Sequence, residues 1–323
     1  MGNECDKHAA PFFSVVIPVY NRAHELESAI GSVLAQTESD FEIIVVDDGS
    51  VDFPDRVVHA FDEPRIVYVR QENSGGGAAR NRGIDRARGH VIAFLDSDDR
   101  FLPHHLSTMR RLLEGTQGVV GYAPIIVDRG EGRCFVKPPR AIDSGEHMAE
   151  YLLCGRGFVP TITVVLPSEL ARRVRYDDSL PFAQDVDFAI RLYLTGCRFV
   201  MASEPAAIWN DTVDPARTSS GRKNARLVSW LEKLRRQISA RAYYGARGWL
   251  IAKGVVQTRP VTAFGYYLVA VFHGCYRGRL AVVILLQIFA SDQLYRRMAD
   301  WLIGWRTGRI CLLSARAADV SLR

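Results

Sequence analysis

Acidic residues are scarce in the last third of this chain. Between Pro215 and Arg323 only Glu232, Asp292, Asp300 and Asp319 are acidic, against 19 Lys and Arg, a surplus of 15. The first 214 residues run the other way, with 22 basic and 32 acidic side chains. The net charge of +5 therefore joins an acidic globule to a basic region. Such a region calls for an anionic partner: nucleic acid, an anionic lipid surface or an acidic chain. No recognised nucleic-acid module accompanies it, which disfavours the first. The six cysteines lie far apart with no CxxC pair, which excludes a disulfide framework or zinc module and suits a reducing compartment. No apolar run reaches the roughly 20 residues that a bilayer-spanning helix needs. Ahead of Phe12 stand Glu4, Asp6, Lys7 and His8 without an apolar core, so no secretory signal is expected there. Asp6 occupies the place where a myristoylation motif wants Ser or Thr. Repeats and low-complexity tracts are absent too, and 48% hydrophobic with 24% charged residues excludes disorder.

What is there is an alternation. Its 323 residues allow one large or two ordinary domains. Short apolar runs at 13–19, 41–47, 65–69 and 90–95 alternate with helical patterns at 23–35, after Ser50 and at 77–87. Pro103 is expected in the first turn of a further helix. This alternation predicts βαβ units, an α/β fold and a mostly parallel sheet with right-handed crossovers. Later, residues 119–127 and 133–136 read as a hairpin, 161–166 as a strand, and 197–202 and 206–209 as short strands, with a helix beginning near Asp185. The polar, turn-rich stretch 211–221 suggests a boundary. The expected organisation is a domain over 1–215 and a basic helical region over 216–323. Two apolar runs in that region, 262–272 and 280–290, fit either core helices or helices lying in a membrane interface, because Arg and Lys surround faces rich in Phe, Tyr and Trp.

Ligands of open α/β sheets bind at the carboxyl ends of the strands. Three strand ends here read Pro18-Val-Tyr-Asn-Arg22, Asp47-Asp48-Gly49-Ser50 and Asp96-Ser97-Asp98-Asp99. Five carboxylates near one edge repel unless something cationic offsets them, and carboxylate oxygens suit Mg²⁺ or Mn²⁺. Asp96-Ser97-Asp98 therefore reads as a metal–diphosphate site, or as a solvated surface turn. Asp47-Asp48 reads as an acceptor for a base or ribose, or as an acidic turn closed by Gly49. Asn73-Ser-Gly-Gly-Gly-Ala-Ala-Arg-Asn-Arg-Gly83 is a Gly-rich loop opening a helix, able to face an anion or to act as a connector. It lacks the GK[ST] of a P-loop. His104 and His105 are adjacent and diverge on a helix, so packing or surface roles are expected rather than a shared metal.

Together, in order and spacing, these blocks resemble the inverting family 2 glycosyltransferases of GT-A fold. The resemblance is specific over residues 13–105, looser to about 210 and absent from the basic region. It implies that Pro18, Tyr20 and Asp47 line a base pocket, with Asp48 beside them. Arg80 and the Gly75–Gly77 loop would approach the uridine or diphosphate. Asp96 would meet the ribose or a metal, and Asp98 would be the main metal ligand. The family's later acidic pair falls at Gln184-Asp185, where Gln184 replaces a Glu; Asp185 is then the general base, with Asp187 as a rival and a helix N-cap as the bland alternative. A chain with one base opposite the leaving group inverts by a single displacement. No QxxRW follows, and only Trp209, Asn210, Arg217 and Arg222 stand nearby to assist, so addition of one sugar per encounter is expected.

The resemblance thus implies a metal-dependent transferase using Mn²⁺ or Mg²⁺, a nucleotide-diphosphate sugar donor and a glycan or lipid-linked glycan acceptor. The basic region adds an expected anionic membrane partner, and a peripheral place on the cytoplasmic face. A non-catalytic glycan- or nucleotide-binding module is the alternative, and a nucleotidyltransferase on a similar sheet a more distant one.

Overall fold

The runs Phe13–Val19 (β1) and Phe41–Asp47 (β2) are apolar on both faces, so each is stable only under cover from both sides. In the computed structural model, which describes residues 10–180, 182–212, 224–291 and 293–298, they lie in the middle of a seven-stranded sheet. Its other strands are Ile66–Arg70 (β3), Val91–Phe94 (β4), Val119–Tyr122 (β6), Val165–Pro167 (β9) and Arg198–Met201 (β10), in the order β10-β6-β9-β4-β1-β2-β3. All pairs are parallel except those made by β9, which runs antiparallel to β4 and β6. A second sheet has the order β5-β11-β7-β8, from Arg100–Phe101 (β5), Ile125–Asp128 (β7), Cys134–Lys137 (β8) and Ala207–Asn210 (β11). The mixed α/β, mostly parallel expectation is met.

Alternation along the strands divides the interior in two. Val16, Ile44, Val46, Ile92 and Phe94 face one core, covered by Gly76–Arg86 (α3), Met148–Leu153 (α5), Ser168–Val174 (α6) and Gln184–Leu194 (α7). Val15, Ile17, Ile43, Val45 and Ala93 face the other, under Ala23–Leu34 (α1), Pro54–Ala60 (α2) and His105–Leu113 (α4). From residue 224 to 298 the described chain is mostly helical. Asn224–Leu234 (α8) and Ala240–Ala246 (α9) feed Leu227, Trp230, Leu231, Tyr243 and Ala246 into the first core. A π-helical stretch Arg247–Ile251 and Ala252–Val255 (α10) lead to Pro260–Phe272 (α11) and Arg279–Phe289 (α12), which form a small core of their own around Ala263, Tyr267, Ala270, Ile284 and Ile288.

Three local expectations differ from the structure. Residues 119–127 are not one hairpin arm. Ala123-Pro124 breaks the run, because proline has no N–H for the ladder, and the chain passes from β6 in the first sheet to β7 in the second. Only β7 and β8 form the hairpin. Residues 161–166 are a 3-10 turn, Thr161–Thr163, followed by β9; the turn is set by Pro160, whose carbonyl accepts the Thr163 N–H. Pro103 precedes α4 in a turn rather than opening its first helical turn. Arg217, Arg222 and most of the expected boundary 211–221 lie outside the described residues.

Candidate active site at the strand ends

Parallel strands bring their carboxyl ends to one edge. The register sets Val19 beside Asp47, and Asp47 beside Arg70. The Asp47 side chain is fully buried. Its Oδ1 accepts the Ser50 N–H at 2.8 Å, and its Oδ2 accepts the Tyr68 hydroxyl at 2.6 Å and faces Arg70 at 3.1 Å. Burial and this carboxylate both push the Tyr68 phenol above its ordinary range. Asp47 is thus a buried brace at the strand ends, with its oxygens taken up by Ser50, Tyr68 and Arg70. Tyr20 projects at 49% exposure, and Pro18 lies half-buried two residues before it. Asn21 ties their loop to the second strand end: its N–H donates to Ser50 Oγ at 3.0 Å and its Oδ1 accepts the Val51 N–H at 2.9 Å.

Asp48 anchors the Gly-rich loop. Its carboxylate accepts from Gln71 Nε2 and from the N–H groups of Ser74 and Gly75, each at 2.8 Å. Gly75 then turns with φ +90°, which a side chain rarely adopts, and α3 begins at Gly76. Four residues on, Arg80 pairs with Asp96 and lies 5.4 Å from the Tyr176 ring centre. Asn81, one residue further, grips the Tyr176 backbone through both its amide atoms. Burial works against the Arg80 charge, yet Asp96 leads the groups that outweigh it, and its pKa is raised. Among the described residues the Nε of Arg80 and the hydroxyl of Tyr176 find no hydrogen-bond partner. Asp98 pairs with Arg22 at 3.1 Å. Asp99 is buried and accepts the Asn210 N–H at 2.9 Å, tying the turn to β11.

Asp185 enters from the far side, in the first turn of α7. The N-cap of that helix is Ala183, at φ +59° and with no side-chain cap, so Asp185 does not serve as the cap. Burial raises its pKa; the N–H groups of Val186 and of Asp185 itself, and Arg80, pull it down, and Asp96 adds to the rise. The Gln184 amide packs over α3, where a Cβ added to Gly77 would lie 2.9 Å from its Nε2. Asp187 is spoken for: Trp230 Nε1 donates to it at 2.7 Å and Arg191 Nε at 2.7 Å. This buried network fixes α8 against α7.

Asp47, Asp48, Gly75, Arg80, Asp96 and Asp98 thus stand at the strand ends and the start of α3, with Arg80 paired to Asp96, and Asp185 on α7 lies within electrostatic reach of Arg80. Sequence reasoning passed over Arg22, Tyr68, Arg70 and Gln71. Tyr68 and Arg70 are two apart on β3, hence on one face, and that parity was the available signal. His105 is buried against Phe101, ring centres 4.2 Å apart, with both ring nitrogens unpartnered among the described residues and its pKa pushed by burial down to about 3. It is a neutral packing residue, as expected.

The family described as Glycosyl transferase family 2 matches residues 14–155. The amylovoran biosynthesis glycosyltransferase AmsB of Erwinia amylovora is 30% identical over 243 residues, 72% of this chain and 80% of AmsB. Two solved structures share the fold. S. aureus TarS 1-349 in complex with UDP-GlcNAc gives a TM-score of 0.59 at 16% identity, over 88% of this chain and 89% of that one. The mannosyltransferase PcManGT from Pyrobaculum calidifontis, in complex with GDP-Man and Mn2+, gives 0.56 at 18%, over 92% and 86%. The protein has a GT-A fold and belongs to glycosyltransferase family 2. Its activity is accordingly glycosyl transfer.

Proposed function

We propose that the enzyme moves one sugar per encounter from a nucleotide-diphosphate sugar, a UDP-sugar first among them, to a hydroxyl of a growing or lipid-linked polysaccharide, inverting the anomeric carbon. The observation that carries this reading is Arg80: a largely covered guanidinium paired with Asp96 and within electrostatic reach of Asp185, with a spare Nε donor, at the N-terminal turns of a Gly-opened helix. A cation with free N–H groups beside a helix N-terminus suits diphosphate oxygens. The polysaccharide acceptor is supported by the likeness to AmsB.

Asp96 and Asp98 offer the hard oxygen donors that Mg²⁺ or Mn²⁺ takes, commonly one or two carboxylates with the rest from phosphates and water. Among the described residues no cluster of three or more potential ligands forms, so these two carboxylates would hold the ion together with the diphosphate. A bound cation offsets charge on the departing diphosphate. Asp185 accepts the proton of the attacking hydroxyl, and its raised pKa makes it the better base. With Asp187 locked to Arg191 and Trp230, no second carboxylate competes for the anomeric carbon from α7, in keeping with a single displacement.

The site of work follows from the C-terminal helices. Among the described residues no helix is long and apolar enough to cross a membrane. Val261, Phe264, Leu268 and Phe272 recur at helical spacing on the outer face of α11, with Val261 at 84% and Phe272 at 86% exposure. Arg259, Arg277 and Arg279 flank α11 and α12. An apolar stripe bordered by cations fits docking to an anionic membrane surface.

A thermal-shift screen of nucleotide sugars with and without Mn²⁺ tests the donor, since a ligand at 100 times its Kd adds about 2.7 kcal/mol of stability. Cation-dependent turnover, lost in Asp98→Ala and giving an inverted product by NMR, supports the proposal. Nucleotide binding with no turnover on any acceptor would favour the alternative, a non-catalytic nucleotide- or glycan-binding module.

A further inference from the structure

A second group of charges lies within electrostatic reach of Asp185. Lys137, the last residue of β8, and Trp209, on β11, point to the same face of the second sheet. The register sets Lys137 level with Ile125 and Ile125 level with Ala207, and Trp209 follows two residues later. Phe158, from the loop after α5, stacks on Trp209 with ring centres 5.9 Å apart and planes at 27°. The Lys137 ammonium lies 5.0 Å from the Phe158 ring centre and 5.7 Å from that of Trp209.

Such aromatic faces attract a cation, but they offset only part of what burial takes away. Among the described residues Lys137 makes neither an ion pair nor a hydrogen bond, and Arg156 has no carboxylate partner. Arg156 is held at φ +53°, a left-handed conformation unusual for a side chain of this size, with its guanidinium 5.2 Å from the Trp249 ring centre. The electrostatic neighbours of Lys137 are Arg156 and Arg129, which repel it, and Asp211 and Asp185, which attract it. Arg129 and Asp211 already bind each other at 3.0 Å. Burial, first of these influences, brings the Lys137 pKa down to about 8. Lys137 therefore meets an aromatic pair, with Arg156, itself over Trp249, and the candidate base Asp185 both within its electrostatic reach. A fold gains nothing from leaving such charges unpaired.

We propose that Lys137 and Arg156 form an oxyanion subsite on the acceptor side, which selects acceptors bearing a carboxylate or phosphate near the reacting hydroxyl. This rests on the reading of Asp185 as the base that meets the acceptor. The shared chemistry is an oxyanion on a sugar, from either an acidic sugar or a phosphorylated one. The subsite supplies binding and orientation and takes no part in bond making.

The test titrates the full chain calorimetrically with glucuronic acid, glucose 1-phosphate and, as the neutral control, methyl glucoside. The wild type is expected to bind at least one charged probe ten-fold or more tighter than methyl glucoside. Lys137→Gln and Arg156→Gln should each remove most of that preference, while Lys137→Arg keeps it and guards against loss of folding. Preference for glucuronic acid assigns an acidic-sugar acceptor, and preference for glucose 1-phosphate a phosphate-bearing one. Equal affinity for all three probes, or a preference that survives in the Lys137→Gln/Arg156→Gln double variant, overturns the subsite. UDP- and GDP-sugar binding is measured on the same samples. Its failure would strike the donor reading alone and leave the anion preference legible.

Discussion

At the scale of single residues, the site is held by carboxylates whose partners differ in kind. Asp48 is a structural anchor: its three hydrogen bonds tie the Gly-rich loop to the second strand end. Removing a buried carboxylate leaves those donors unsatisfied, so Asp48→Ala is expected to cost about 2–4 kcal/mol in chemical denaturation and to weaken nucleotide binding with it. Asp185 behaves in the opposite way. Its pKa is raised from the model-compound value of 3.8, so the folded state binds its proton more tightly than the unfolded chain does. Stability from this group is present below that value and is lost as pH rises through the folded pKa. Asp185→Asn removes the charged form, and its melting temperature should exceed the wild type's at pH 7, with the gap closing as pH falls toward 3.8. The carboxylates at the strand ends were legible from their positions alone. Their partners were not, because Tyr68, Arg70 and Arg22 arrive from other strand ends and loops that only the sheet register brings near.

At the scale of elements, α3 carries Arg80, and its seat against β1 depends on Gly83. A Cβ there would lie 2.2 Å from Val16 Cγ1, in the buried centre of the sheet. Helix propensity alone favours Ala over Gly by about 1 kcal/mol. Overpacking of a buried contact costs about 1–3 kcal/mol and should win. Gly83→Ala is therefore expected to lower the midpoint of urea unfolding rather than raise it. The early elements were readable because their apolar runs and helix periods are long and bounded by Gly, Pro or Asp. The later ones are short, and their type is set by partners: β6 and β7 fall in different sheets on either side of Pro124, and β9 follows a 3-10 turn. No pattern of four residues announces which sheet it will join.

For the whole molecule, the basic region contributes two different things. Trp230, Leu231 and Tyr243 complete the core beneath α7, so α8 and α9 are part of what holds Asp185 in place. The helices α11 and α12 turn Ala263, Tyr267, Ala270 and Ile284 inward and leave Val261, Phe272 and Val282 to solvent. Of the two readings of those apolar runs, core packing accounts for the inner side of the helices, and the interface reading bears on the exposed outer side. If the outer face docks on lipid, each basic residue near an anionic surface adds about 1 kcal/mol. The full chain should co-sediment with vesicles of phosphatidylglycerol and phosphatidylcholine at low salt and release as salt is raised. Phe272→Asp, exposed and remote from the strand ends, should weaken that binding at least ten-fold without changing donor affinity; unchanged sedimentation would remove the membrane from the account.

The central claim is that a carboxylate on α7 deprotonates the acceptor while the strand-end residues hold the donor. Single-turnover transfer by Asp185→Asn, with donor affinity measured on the same protein, addresses it directly. The account predicts donor binding within two-fold of the wild type and a transfer rate lower by about 10²- to 10⁴-fold, the usual worth of a general base. A variant that binds donor normally and transfers at the wild-type rate would contradict it.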